Sequence, residues 1–389
     1  MSNHFIRENF FVMGQFPSID QLQNSTAALM DDSKTAKEGV GKPIKRRGFD
    51  NLGKTCYLSS VVVALSSIPK MVSTFEKYDR WLDEHPDIEL KEKQANKLKF
   101  IQELSRLLLR FRESRIAPSA RLLHALAGQL DPNFKGHVPQ DAHEFLSLIT
   151  EAAETFADVQ DKIDGRDQTS RLFFEFPMFF TMRSRVECSI CKQFADSKEE
   201  AVGVSIEMNN DNPDWWILNT WYDEELMVDT NRFQCNKCNR KVDASRRTSP
   251  LTLPDCLVPR ATKPTEQTLS AVVNNGRLKL VKYYPVVFPP LQIYCCDIPV
   301  GNRTGPKDQI YRLKALIIHM GAALDDGHYI CAARTNEDQW RIYNDEFVSY
   351  ANWTELRSMG KASTPYLMFY EKKASKSSAD PTTNSTDFI

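Results

Sequence analysis

Three groups of residues in this chain are of types that do chemistry: Cys56, the pairs Cys188/Cys191 and Cys235/Cys238, and His328 with Asn344 and Asp345. Cys56 closes a turn-prone stretch (Gly48, Asp50, Asn51, Gly53) and opens the apolar run Tyr57, Leu58, Val61, Val62, Ala64, Leu65, Ile68. The three- and four-residue spacing of that run predicts a buried helix ending at Pro69. Cys56 then lies on the first turn, where free N–H groups and the positive end of the helix dipole favour a thiolate. A small buried core residue is the other reading of that stretch. Cys188-Ser-Ile-Cys191 and Cys235-Asn-Lys-Cys238 are CxxC knuckles, each able to offer two thiolates to one tetrahedral ion. Four thiolates fill the coordination sphere, so a zinc held there is structural and takes no part in a reaction. Two unrelated cysteine turns would be the alternative, and a redox role would need only one such motif. His328 enters a strand from the loop Asp325-Asp326-Gly327, and the strand Trp340 to Tyr343 ends in Asn344, Asp345 and Glu346. Adjacent antiparallel strands would bring Asn344 or Asp345 beside the imidazole, one fixing its tautomer while the other ring nitrogen faces a thiol. Nucleophile, base and orienter far apart in sequence are the logic of a cysteine protease.

These residues need helices and strands to hold them. Leu98, Ile101, Leu104, Leu107, Leu108 and Phe111 share one helical face, and Leu122, Leu123, Ala125, Leu126 and Leu130 continue after Pro118. Phe145, Leu146, Leu148 and Ile149 open another helix after the turn Gly136-His137-Val138-Pro139. From about Leu172 the pattern turns to strands: Phe173 to Phe176, Thr181 to Cys188, Gln309 to His319, His328 to Arg334, Gln339 to Tyr343 and Tyr366 to Glu371. Helices followed by strands predict an α+β fold. Lys and Arg number 50 against 51 Asp and Glu in 389 residues, which leaves no footprint for nucleic acid. No apolar run is long enough for a bilayer. The opening residues lack a secretory pattern, and nine cysteines spread through the chain do not form a disulfide framework. The chain reads as intracellular, nuclear or cytoplasmic, with a partly disordered extension over 1–46 and a disordered tail over 373–389.

Taken together, the residues resemble the ubiquitin-specific proteases, a group of papain-like cysteine deubiquitinases, over about 47–372. Gly48 to Tyr57 is similar to the family's cysteine box, Gln140-Asp141-Ala142-His143-Glu144-Phe145 to the acidic helix start, and Gly327-His328-Tyr329 with Tyr343 to Val348 to the histidine box. The knuckles fall where the family's fingers carry zinc, and Pro365 to Tyr370 is similar to its terminal strand. The resemblance implies a helical thumb (about 47–168), zinc-bearing β fingers (about 172–250) and a β-rich palm. It implies a thiol-dependent deubiquitinase with Cys56 as nucleophile, His328 as base, Asn344 as third residue, Asp345 as helper and Asn51 as oxyanion donor. Asp141 would hold the basic tail of ubiquitin, with Gln140, Glu144, Gly327 and Tyr329 as further ubiquitin contacts. Structural zinc is the implied metal, and the chemical step needs no cofactor. The partners implied are ubiquitin and ubiquitinated proteins, without nucleic acid or membrane. The knuckle flanks and the Thr364 to Tyr370 ending are most similar to the branch activated by WD-repeat partners. Lys54, Ser59 and His143 depart from the family's usual residues; Lys54, Ser59 and the altered strand after Leu253 leave a ubiquitin-binding pseudo-protease as the alternative. Pro254, Pro259 and Pro264 interrupt a segment that the family uses as a strand, so that strand should be short. In a continuous strand Asp345 should point away from the face that Asn344 uses.

Overall fold

The computed structural model describes residues 47–165, 176–206, 224–261, 269–274, 277–282, 288–294, 310–321, 327–335, 338–359 and 363–373. The extension over 1–46, the stretch Phe173-Phe174-Glu175, Pro264 and the tail after residue 373 lie outside the described residues.

Among the described residues five α-helices come first: α1 (Cys56–Ser66), α2 (Pro69–Glu84), α3 (Glu92–Glu113), α4 (Arg121–Leu130) and α5 (Ala142–Ile163). Every residue of α1 from Cys56 to Leu65 is buried, as expected of a helix without a polar face. Pro69 does more than stop α1. It takes the first position of α2, where its missing N–H and fixed φ cost nothing. Around α1 the longer helices turn single apolar faces inward, among them Leu98, Ile101, Leu104 and Leu108 of α3 and Phe145, Ile149, Ala153 and Phe156 of α5. Tyr57 packs edge-on against Phe145 at 5.5 Å between ring centroids, which ties the start of α1 to the start of α5.

The strands follow: β1 (Phe179–Cys188), β2 (Phe194–Val202), β3 (Val204–Ile206), β4 (Glu224–Met227), β5 (Phe233–Cys235), β6 (Arg240–Val242), β7 (Ala244–Pro250), β8 (Cys256–Leu257) and β9 (Pro259–Ala261). Next are β10 (Leu269–Asn274), β11 (Arg277–Lys282), β12 (Gln292–Tyr294), β13 (Ile310–Met320), β14 (His328–Arg334), β15 (Trp340–Asn344) and β16 (Phe347–Ala351). The short helix α6 (Trp353–Arg357) and β17 (Ser363–Lys372) complete the described elements. A nine-stranded sheet runs β16-β15-β14-β13-β17-β9-β3, with β12 against β13 and β8 against β17. Its long central strand β13 pairs antiparallel with both β14 and β17, and α1 packs directly on β14. A second sheet, β2-β1-β7-β4, and the hairpin β5-β6 stand apart from it. The fold is α+β, as expected. Among the described residues the segment rich in prolines forms the two residues of β8 and the three of β9, with Pro259 first in its strand, where no preceding ladder bond is lost.

Candidate active site and metal centre

The loop before α1 is built by its own side chains. Asn51 Oδ1 accepts from the backbone N–H groups of Gly53 (3.0 Å) and Thr55 (3.1 Å), and Thr55 Oγ1 accepts from Leu52 N (2.9 Å). Gly53 and Lys54 both adopt positive φ, 98° and 61°. The lysine conformation costs about 1–2 kcal/mol that an asparagine would largely avoid. A Cβ on Gly53 would meet His137 Nδ1 at 2.3 Å, so glycine is required there twice over. Cys56 is the first residue of α1 and is 7% exposed.

His328 opens β14 and Asn344 closes β15. His328 Nε2 lies 2.6 Å from Asn344 Oδ1. A carbonyl oxygen only accepts, so Nε2 carries the proton. Cys56 lies close enough to the imidazole to raise its pKa, and with Nε2 engaged by Asn344, Nδ1 is the nitrogen left for a thiol. Burial pulls the imidazole pKa down. Cys56, then Asp345 and Asn344, outweigh burial and lift it to about 9. The arrangement therefore favours an imidazolium.

Asp345 departs from the expectation of a continuous strand. Its φ is +50°, because it starts the two-residue turn that joins Asn344 to Phe347 across the β15–β16 hairpin. That bend swings the carboxylate to the same side as Asn344, with Oδ2 3.8 Å from His328 Nε2. Oδ2 also accepts from Asn51 Nδ2 at 2.9 Å. Oδ1 is buried without a hydrogen-bond partner among the described residues, and burial raises the carboxyl pKa against the opposing pull of His328 and Asn51. The turn presses on the cysteine loop: Gly48 N donates to Glu346 O at 3.0 Å, and a Cβ on Gly48 would lie 2.0 Å from Asp345 O. Sequence reasoning had no signal for this contact beyond the glycine itself.

Asp141 is the N-cap of α5, its Oδ1 accepting from His143 N at 2.7 Å. Both its oxygens also accept from the hydroxyl of Tyr366, at 2.7 and 2.8 Å. His143 Nδ1 accepts from Arg260 Nη1 at 2.7 Å. Burial and then Arg260 lower the imidazole pKa, which keeps it neutral. Glu144 is largely exposed beside it, and Gln140 lies just ahead of the cap. Gly327 needs its missing Cβ, which would meet His319 Nε2 at 2.3 Å, and Tyr329 packs between His319 and Tyr366. Tyr366 and Arg260 were not picked out as site residues in the sequence.

The four knuckle cysteines converge, their sulfurs all within 4.8 Å of one another. Cys188 lies 3.8 Å from Cys238, and Cys191 3.6 Å from Cys235. Four sulfurs held tetrahedrally at 2.3 Å from zinc would be about 3.8 Å apart, so the spacing fits the ion. In each knuckle the second cysteine's N–H points at the first sulfur at 3.4 Å. Each knuckle also ends in a left-handed residue, Lys192 (φ 57°) or Asn239 (φ 50°). The cluster could hold a metal ion, and it joins β1 to the β5–β6 hairpin.

Residues 47–370 match the family described as ubiquitin carboxyl-terminal hydrolase. The chain belongs to that family. It is a cysteine-type ubiquitin carboxyl-terminal hydrolase of the ubiquitin-specific protease group, and its function is deubiquitination. It is similar to ubiquitin carboxyl-terminal hydrolase 3 of Homo sapiens, with 23% identity over 92% of this chain and 74% of that protein. It is also similar to ubiquitin carboxyl-terminal hydrolase 9 of Saccharomyces cerevisiae, with 26% identity over 66% of this chain and 33% of that one. Among solved structures, the SAGA Ubp8/Sgf11/Sus1/Sgf73 DUB module bound to ubiquitin aldehyde matches with a TM-score of 0.63 and 18% identity, over 92% of this chain and 77% of the matched chain. At that identity the likeness concerns the fold.

Proposed function

We propose that this hydrolase cleaves the isopeptide bond after the C-terminal glycine of ubiquitin with Cys56 as nucleophile, His328 as acid and base, and Asn344 as its orienter. The observation that carries the reading is His328 bonded to Asn344 and lying near enough to Cys56, the first residue of a buried helix, for Cys56 to raise the imidazole pKa. The Cys56 thiolate attacks the carbonyl carbon, and the carbonyl π electrons move onto oxygen. One N–H of Asn51 is engaged by Asp345, and the second would donate to the oxyanion together with the backbone N–H of Cys56. Collapse of the intermediate breaks the C–N bond, and imidazolium His328 gives its proton to the departing lysine amine. Water then attacks the thioester with His328 as base, releasing the ubiquitin carboxylate and Cys56.

The reading extends to the parts around the site. Asp141, with Gln140, Glu144, Gly327 and Tyr329 nearby, would receive the tail of ubiquitin. Cys188, Cys191, Cys235 and Cys238 would hold structural zinc. A thiolate nucleophile and four thiolate ligands suit a reducing compartment, nuclear or cytoplasmic. Activation by a WD-repeat partner is the finer proposal, supported by the knuckle flanks and the Thr364 to Tyr370 ending; turnover with and without candidate partners tests it. For the central reading, the test is a ubiquitin bearing a C-terminal electrophile. Intact mass should show one adduct on the wild type and none on Cys56→Ser. An adduct on the variant refutes the assignment.

A further inference from the structure

We propose that Tyr366 is a positioning residue for substrate recognition: its hydroxyl holds the Asp141 carboxylate at the angle that receives the basic tail of ubiquitin. The proposal deepens the reading of Asp141 as a tail contact and rests on it. β17 is mostly a core strand, with Leu367, Met368, Phe369 and Tyr370 buried. Tyr370 satisfies its hydroxyl on the Pro290 carbonyl. Tyr366 instead reaches out of the sheet to a carboxylate 225 residues away in sequence. At 2.7 and 2.8 Å from the two oxygens, its O–H lies near the bisector of the carboxylate and fixes the plane of the group. His143 N fixes Oδ1 from the helix side. Both of these donors are neutral, so neither brings a charge that competes with a cationic partner. Burial and then the neighbouring Asp141 push the phenol pKa far above its ordinary range, so the hydroxyl stays a donor.

The tyrosine is itself held. Its ring packs on Tyr329 at 5.9 Å between centroids, and its strand neighbour Leu367 pairs with Arg260 in β9. That same Arg260 donates to His143, two residues after Asp141. Two adjacent strands of the nine-stranded sheet thus grip the first turn of α5. Without the hydroxyl, Asp141 would lose both of its contacts to Tyr366, and the substrate would have to supply that order at each encounter.

The test is steady-state cleavage of a fluorogenic ubiquitin amide by wild type, Tyr366→Phe and Asp141→Asn. A second substrate has the tail arginines of ubiquitin replaced by leucine. We expect Tyr366→Phe to raise KM about 3- to 10-fold, the cost of immobilising one further side chain, with kcat within twofold. On the leucine substrate the variant should cost nothing more. An equal KM rise on both substrates, a fall in kcat alone, or no change on ubiquitin overturns the proposal. If Asp141→Asn raises KM while Tyr366→Phe does not, the tail reading stands and the proposal falls. If Asp141→Asn leaves KM unchanged, the tail reading itself fails.

Discussion

Replacing Asp345 tests whether the bend after Asn344 matters to the chemistry. Its Oδ2 lies 3.8 Å from His328 Nε2 and 2.9 Å from Asn51 Nδ2, so one carboxylate touches both the base and the expected oxyanion donor. At that separation a charge pair is worth about 4 kcal/mol at an effective dielectric constant near 20. That figure is a ceiling, and in the rise of the His328 imidazole to about 9 Cys56 contributes more than Asp345. A share of about 1–1.5 kcal/mol for Asp345 is consistent with both. Asp345→Asn removes the charge but can still accept from Asn51. It should lower kcat roughly 5- to 10-fold. The sign for pH follows from the imidazolium: activity is lost as pH rises through the His328 pKa, so removing a group that raises this pKa moves the basic limb to lower pH by about one unit. Asp345→Ala also releases Asn51, adding up to ~3 kcal/mol of lost oxyanion stabilisation, so kcat should fall about 100-fold or more. Asn344→Ala loses a hydrogen bond to a charged donor, worth about 1.5–3 kcal/mol, and should be no worse than Asp345→Ala. The folded-state pKa of Asp345 is raised by burial, so its ionised form at neutral pH costs stability and the Asn variant should melt no lower than wild type. The assay is the kcat–pH profile on a ubiquitin amide at matched folded concentration. A basic limb that stays in place in Asp345→Asn, with kcat within threefold in Asp345→Ala, refutes the reasoning.

Three further outcomes are expected. Metal analysis of the purified chain should find about one zinc, and Cys235→Ser should lose it with a lowered melting temperature; full zinc and unchanged melting would discard the site. Gly48→Ala places a Cβ 2.0 Å from Asp345 O, so it should displace the turn and reduce turnover by more than tenfold while far-ultraviolet circular dichroism stays native; wild-type turnover would show the turn to be irrelevant. His328→Ala should abolish turnover across the pH range, and measurable activity with a pH limb near 9 would mean that another group is the base.

Much of this protein was legible in its residues. The period of the run after Cys56 located the buried helix, because an uninterrupted apolar pattern can only be a core element. CxxC spacing is local geometry, so each knuckle could be read by itself, and the strands around His328 and Asn344 appear within a residue of where alternation put them. The tertiary structure decided the rest. The positive φ of Asp345 is a turn conformation with no unambiguous local signature, and the alternation rule put its carboxylate on the wrong face. Gly48 reads as turn chemistry until the Asp345 carbonyl is found against it. Tyr366 reads as one more apolar strand residue, because nothing within a few residues of it could reveal a hydroxyl bonded to Asp141. Periodicity reports which side of an element faces the core. Which polar atoms meet across that core depends on sheet register and helix docking, and those are set by packing over hundreds of residues.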